Sequence, residues 1–272
     1  MTTLSIDRSP EISSEEFIKS ATSIVEHATQ RGVILRIMGA VAFRIHTPNL
    51  ADLHKRLNRL SSSSAEFTDL DLVTYSKFSS KLEPFFADMG YVPDEGAKHQ
   101  VHVWSQRHIY HDKSGRLHID VFFDKLEMSH TIDFKNRLEV DSPTISLAEL
   151  LLEKMQIVQI NEKDIKDAII VLLGHEIGDD DHDRINAKYI ASLLSSDWGL
   201  YYTTVTNLGK VKLFASKYEQ LSDVEKSAIA SKVEYLTKRI DDEPKGSRWK
   251  MRAKVGTKRK WYKDVEERFS SE

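Results

Sequence analysis

The stretch Phe67-Thr68-Asp69-Leu70-Asp71-Leu72-Val73-Thr74-Tyr75 alternates apolar residues with two carboxylates. Alternation with a period of two belongs to a β-strand with two unlike faces. Asp69 and Asp71 then project to one side while Leu70 and Leu72 pack on the other. Two carboxylates a few ångströms apart repel each other, so the pair is costly unless a cation lies between them. Hard oxygen donors of this kind suit Mg2+ or Mn2+. Taken alone, the same pattern also suits an edge strand with a solvated acidic face.

Upstream, Val33-Ile34-Leu35-Arg36-Ile37-Met38 is a mostly apolar run rich in branched side chains and predicts a short buried strand. It runs into Gly39-Ala40, after which Val41 to His46 can turn at once into a helix. A strand that ends in small residues at a helix start presents backbone N–H groups, a setting in which phosphate binds well. A plain strand-to-helix turn would use the same residues. Earlier still, Ser13-Ser14-Glu15-Glu16-Phe17 offers a cap with acids in the first turn. Phe17, Ile18, Ala21, Ile24, Val25 and Ala28 follow at helical spacing up to Gly32. Between the glycine turn and the acidic strand lie a helical pattern (Leu50, Leu53, Leu57, Leu60) and the solvated run Ser61 to Ser64.

Downstream, Ser79 to Met89 predicts a helix closed by Gly90, and Tyr91-Val92-Pro93 resumes extended chain. Val101, Val103 and Ile109-Tyr110 lead into the turn His111-Asp112-Lys113-Ser114-Gly115. Arg116-Leu117-His118-Ile119-Asp120-Val121-Phe122-Phe123-Asp124 returns as a strand. Asp120 sits inside an apolar run, and a carboxylate there needs a partner or a metal ion.

Strand, Gly-Ala turn, helix, strand with Asp69-x-Asp71 and a later strand with Asp120: this order resembles the nucleotidyltransferase superfamily related to DNA polymerase β. The likeness extends into Ile145 to Met155 and Lys163-Asp164-Ile165-Lys166-Asp167. These resemble the Lys-bearing helix and the Lys/Arg-Asp-x-x-Asp helix of abortive-infection, type IV toxin nucleotidyltransferases (AbiEii-like). The resemblance spans roughly residues 30 to 175. It implies a catalytic set of Asp69, Asp71 and Asp120 holding Mg2+ or Mn2+. It also implies a phosphate turn at Gly39 and Ala40, and nucleotide contacts from Lys154 and Lys163. Its chemistry is in-line attack of a hydroxyl on the α-phosphorus of a nucleoside triphosphate, with pyrophosphate leaving. Two departures stand out: Ala40 occupies a position where the family has Gly or Ser, and the Gly39 to Asp69 spacing is long.

The expected fold is α/β (α+β): residues 1–141 form a catalytic domain with a mixed sheet flanked by helices, and residues 142–272 form a helical domain with a basic tail. In that second part Ile185, Tyr189, Ile190, Leu193 and Leu194 fall on one helical stripe. Val224, Ile229, Val233, Leu236 and Ile240 fall on another, and Gly178 to Asp183 reads as a loop and helix cap. His175-Glu176 lacks the second histidine of a zinc-protease helix, because position 179 is Asp. Between Lys245 and Lys263 there are nine Lys or Arg and no acid, with Trp249, Trp261 and Tyr262 interleaved. Lys250, Arg252, Lys258, Arg259, Lys260 and Trp261 are therefore candidates for gripping RNA, although such a run can also dock on the molecule's own acidic surface.

Composition narrows the classes. The 272 residues are 40% apolar and 30% charged with a formal net charge of -3, which describes an ordinary globular chain without a strong overall pull toward nucleic acid. The absence of cysteine removes disulfides, thiolate metal sites and cysteine nucleophiles, and fits a cytoplasmic location. No secretory signal opens the chain, and no segment approaches the roughly 18 uninterrupted apolar residues of a membrane span. Three functions remain. The first is a nucleotidyltransferase acting on an RNA or protein hydroxyl, as a toxin with an antitoxin protein as partner. The second is an inactive module of that fold that binds nucleotide or RNA. The third is a small-molecule, aminoglycoside-like nucleotidyltransferase.

Overall fold

The structure, a computed structural model, describes residues 13–59, 67–94, 107–114 and 117–264. The serine run at 61–64 and the strand pattern at Val101 and Val103 lie outside the described residues.

Helix α1 (Ser14–Gln30) begins where expected. The Ser13 hydroxyl accepts from the Glu16 N–H and the Glu16 carboxylate accepts from the Ser13 N–H, a reciprocal cap. Phe17, Ala21, Ile24, Val25 and Ala28 form its buried face. Strand β1 (Leu35–Ile37) leads into α2 (Gly39–His46), succeeded by the short α3 (Ala51–Arg56). Strand β2 (Asp69–Thr74), helix α4 (Ser79–Asp88), β3 (Tyr91–Pro93), β4 (Arg107–Asp112) and β5 (His118–Phe123) complete the main sheet.

The sheet has five strands in the order β1-β2-β5-β4-β3. β2 and β5 run parallel while every other pairing is antiparallel, so the sheet is mixed as expected. Strand register sets the acids side by side: Asp69 lies opposite His118, and Asp71 lies opposite Asp120. Because side chains alternate along each strand, these four residues share one face of the sheet. The other face packs on helices. There Tyr110 of β4 stacks on Phe86 of α4, with ring centroids 4.2 Å apart.

A hairpin of β6 (Lys125–Glu127) and β7 (Thr131–Asp133) precedes the helical half. That half consists of α5 (Leu147–Met155), α6 (Glu162–Gly174), α7 (Ala187–Leu194), α8 (Trp198–Lys217), α9 (Asp223–Asp242) and α10 (Ser247–Val255). The chain re-enters beside β1: Ile37 N–H donates to Pro143 O and Ile145 N–H to Ile37 O, both at 2.9 Å. Buried apolar residues on both sides of residue 141 join one core cluster.

The structure corrects two readings. Residues flanking the Gly178 to Asp183 loop form a two-stranded parallel ribbon, β8 (Glu176–Gly178) and β9 (Arg184–Asn186), so Ile185 belongs to a strand and not to the helical stripe. Val224 is 79% exposed at the start of α9, where the first turn lies beyond the core, although Ile229, Val233, Leu236 and Ile240 are buried as expected. The 20-residue α8 has no clean apolar stripe, because it buries Thr203, Thr204 and Asn207 along with Leu208 and Val211. Asn207 shows why: its amide donates to the carbonyls of Met155 and Ile157, satisfying the end of α5. Among the described residues no helix is long and apolar enough to cross a membrane.

Candidate active site

The site begins where β1 stops. Gly39 opens α2 with φ +67°, and a Cβ built there would lie 2.5 Å from Asp71 Oδ2. Glycine is therefore required twice, once for the left-handed backbone and once for space. Met38 N–H donates to Asp71 O at 2.9 Å, which fixes the turn against β2. Gly39 N–H donates to Glu153 Oε2 at 3.2 Å, so the first amide of the expected phosphate turn already has an acceptor. Ala40 is half-buried against the core.

The three aspartates come together on one sheet face as the sequence predicts. Asp69 is exposed and accepts from the Thr68 hydroxyl, Asp71 is half-buried, and Asp120 is buried. Their crowding has an electrostatic consequence. Burial first, then Glu153 and Asp120, push the Asp71 carboxyl from its ordinary 3.8 up to about 7, with Lys154 pulling the other way. Burial likewise raises Glu153, against the pull of Lys154.

Asp120 has the partner that its buried position demands. Arg107 Nη1 donates to Asp120 Oδ2 at 2.8 Å from the neighbouring strand. His118 Nε2 stands 3.6 Å from Oδ1, beyond hydrogen-bonding reach, and the adjacent carboxylate holds the imidazole above its ordinary value. Oδ1 itself is buried without a hydrogen-bond donor. Arg107, His118 and Glu153 are site residues that the motif reading did not find. Glu153 carried a usable signal, an acid within the apolar run Leu150-Leu151-Leu152, whereas Arg107 had none.

Lys154 reaches the cleft, but its charge is committed. Its ammonium lies 3.2 Å from Glu153, 3.4 Å from Asp164 and 3.9 Å from Asp167. Burial alone would lower it, yet these three carboxylates hold it above the usual lysine value. Asp167 is further held by Arg59 through two contacts of 2.5 and 2.9 Å. Asp164 and Asp167 share a face of α6 as their spacing predicts, and that face serves Lys154 and Arg59. Lys163 is exposed on the first turn of α6.

Above these groups opens a cleft of about 870 Å³, lined by Gly39, Asp71, Glu153, Lys154 and Asp164 together with Tyr262, Lys263 and Asp264. The last three belong to the basic tail, which folds back onto the molecule. Trp261 Nε1 donates to the Thr203 hydroxyl at 3.1 Å, and Arg252 donates to the carbonyls of Gly256, Arg259 and Lys260. The Arg252 guanidinium also lies 4.6 Å from the Trp198 ring. Lys250, Lys258, Arg259 and Lys260 remain exposed.

The residues fit a hard divalent cation by chemistry: three carboxylates, no competing soft donor, and one buried oxygen of Asp120 with nothing donating to it. Among the described residues no group of three His, Cys, Asp or Glu stands around a common point as placed. Arg107 holds one of the oxygens that such an ion would use.

No protein-family model and no curated protein matches the chain. Among solved structures it is similar to a nucleotidyltransferase-like antigenic protein from Paracoccidioides brasiliensis, with 12% identity and a TM-score of 0.37, over 88% of this chain and 98% of that one. It is also similar to the antibiotic-resistance factor ANT(2'')-Ia, with 12% identity and a TM-score of 0.35, over 58% of this chain and 83% of that one. Both likenesses are too distant to bear on individual residues of the cleft.

Proposed function

We propose that the chain is a metal-dependent nucleotidyltransferase that moves a nucleoside monophosphate from a nucleoside triphosphate to a hydroxyl. The observation that carries the reading is the in-register facing of Asp71 and Asp120 on parallel strands, with Asp71 beside a glycine turn and lining an open cleft. Asp69, Asp71 and Asp120 would hold Mg2+ or Mn2+, which when bound neutralises phosphate charge. Gly39 lets the backbone pass against Asp71, and the α2 N-terminus faces the triphosphate. Asp120, beside His118, would take the proton of the acceptor hydroxyl. The new bond forms between that oxygen and the α-phosphorus, and the bond to the β-phosphate breaks to release pyrophosphate.

The acceptor we propose is RNA, because the exposed Lys250, Lys258, Arg259 and Lys260 belong to the tail whose Tyr262, Lys263 and Asp264 line the cleft. A toxin role with an antitoxin partner rests on the AbiEii-like resemblance. Growth arrest on induced expression, lost with Asp69→Ala/Asp71→Ala, is its test. The enzymatic test is incubation with each α-labelled nucleotide, Mg2+ or Mn2+ and total RNA or total protein. Label should move to a macromolecule, and the same double variant should abolish transfer. No transfer to any acceptor, with nucleotide still bound, would favour a second reading as a non-catalytic nucleotide-binding module. The Arg107 grip on Asp120 and the occupied Gly39 amide speak for that reading.

A further inference from the structure

A second chamber adjoins the basic tail. Its volume is about 470 Å³, and it is lined by Asp197 and Trp198 at the start of α8, by Arg248, Trp249 and Arg252 on α10, and by Trp261. Three of the chain's four tryptophans thus line one opening. Trp249 Nε1 donates to Leu194 O at 3.0 Å at the end of α7, and Trp261 Nε1 donates to the Thr203 hydroxyl at 3.1 Å. With those donors committed, what the two rings have left to offer a ligand is aromatic surface.

Residue 261 lines this chamber and residue 262 lines the cleft that holds Asp71. Consecutive Cα atoms are about 3.8 Å apart, so the two openings are separated by a wall one residue thick. That wall is docked on α8: a Cβ at Gly199 would lie 2.6 Å from the Trp261 carbonyl.

The charge around the chamber lacks internal partners. Arg248, Lys250, Lys254, Lys258 and Arg259 are exposed, and among the described residues none of these five side chains has a carboxylate partner. A tail docked through charge on its own protein would show its cations in ion pairs. Of the nine between Lys245 and Lys263, Lys260 and Lys263 alone do so among the described residues. Arg252 is spent otherwise, bracing the carbonyls of Gly256, Arg259 and Lys260 with its guanidinium 4.6 Å from the Trp198 ring. Arg248, one helical turn earlier, has no such duty. Asp197 Oδ1 accepts from Leu200 N–H at 3.0 Å. A carboxylate in the chamber repels a phosphate and accepts from the amino group of a base.

We infer that this chamber seats an unpaired nucleobase of single-stranded RNA against its tryptophan rings, with a phosphate of the strand at Arg248 and the strand continuing over residues 261 and 262 to the acidic cleft. The inference rests on the reading of RNA as the acceptor and says how it is gripped: by ring insertion, and not by charge alone. Bases of single strands are free to stack on aromatic side chains in this way.

The test reads fluorescence anisotropy of a labelled cytidine octamer, and of an abasic octamer of equal charge, with the full-length protein and no nucleotide or divalent cation. The cytidine octamer should bind at least tenfold more tightly and quench tryptophan emission. Trp249→Ala should cost about tenfold on the cytidine octamer and nothing on the abasic one, and Trp249→Phe should restore most of the loss. Arg248→Ala, an exposed position, should weaken both octamers and lower the slope of log affinity against log salt by about 0.7, one phosphate contact. Equal affinity of the unaltered protein for the two octamers would overturn the inference. So would an equal loss for both on Trp249→Ala, or an unchanged salt slope in Arg248→Ala. Failure here is separable from failure of the enzymatic reading. Base-dependent binding lost in Trp249→Ala, with no label transfer, supports the chamber and refutes the transferase; transfer to RNA that ignores Trp249 does the reverse.

Discussion

Replacing Asp71 by Asn tests the electrostatics of the cleft without needing to know the substrate. In the folded chain the Asp71 carboxyl titrates near 7 instead of its ordinary 3.8. The native state therefore keeps a proton that the unfolded chain releases above about pH 4, and unfolding sheds that proton throughout the interval. Stability must fall as pH rises from about 4 to about 7, and then level off. The full interval corresponds to about 4 kcal/mol, and the part between pH 5 and 8.5 to about 2 to 3 kcal/mol. Asn is close to isosteric with the protonated acid and carries no such charge. Urea unfolding of both proteins without divalent cation should show Asp71→Asn gaining on the unaltered chain by that amount between pH 5 and 8.5. Adding Mg2+ at pH 8.5 should stabilise the unaltered chain and leave the variant unmoved, because only the former carries the full set of carboxylates. A stability difference that stayed flat across this pH range would show that Asp71 is not crowded, and the reasoning about a cation-demanding site would fail.

Gly39→Ala should cost about 2 kcal/mol or more from the positive φ and the contact with Asp71, read as a lowered urea midpoint with loss of nucleotidyl transfer. Arg107→Ala should raise Mg2+ affinity several-fold in a calorimetric titration, because it frees Asp120 Oδ2, while lowering stability by about 1 to 3 kcal/mol in the metal-free protein. Unchanged affinity would mean that the arginine does not compete with a cation. Asp167→Ala removes a buried carboxylate that pairs with Arg59 and is one of the three partners of Lys154, so it should destabilise by about 3 to 5 kcal/mol. A loss under about 1 kcal/mol in urea unfolding would mean that the cluster is solvated.

Legibility in the sequence tracks the range of the forces involved. The four-residue alternation at 69–72 and the apolar run around Asp120 place the acids on strands, because a strand's faces are set by its own period. Gly39 announces itself because a tight strand-to-helix turn needs a residue without a Cβ. The cap at Ser13 and Glu16 is equally local. α8 shows no such period, since its buried face mixes Asn207 and Thr203 with leucine and valine, and those two polar groups make sense only against the partners they bond.

Sequence by itself thus determined a mixed α/β chain with three strand-borne aspartates beside a glycine bend. Tertiary structure alone decided how those acids are charged and what surrounds them. Arg107 reaches Asp120 through strand pairing, Glu153 reaches Gly39 across 114 positions of chain, and Tyr262 and Lys263 near the chain's end line the same cleft as Asp71. The reason is physical: local period and turn stereochemistry fix which way a side chain points, whereas its protonation and its ion partners depend on burial and on charges brought near only by folding.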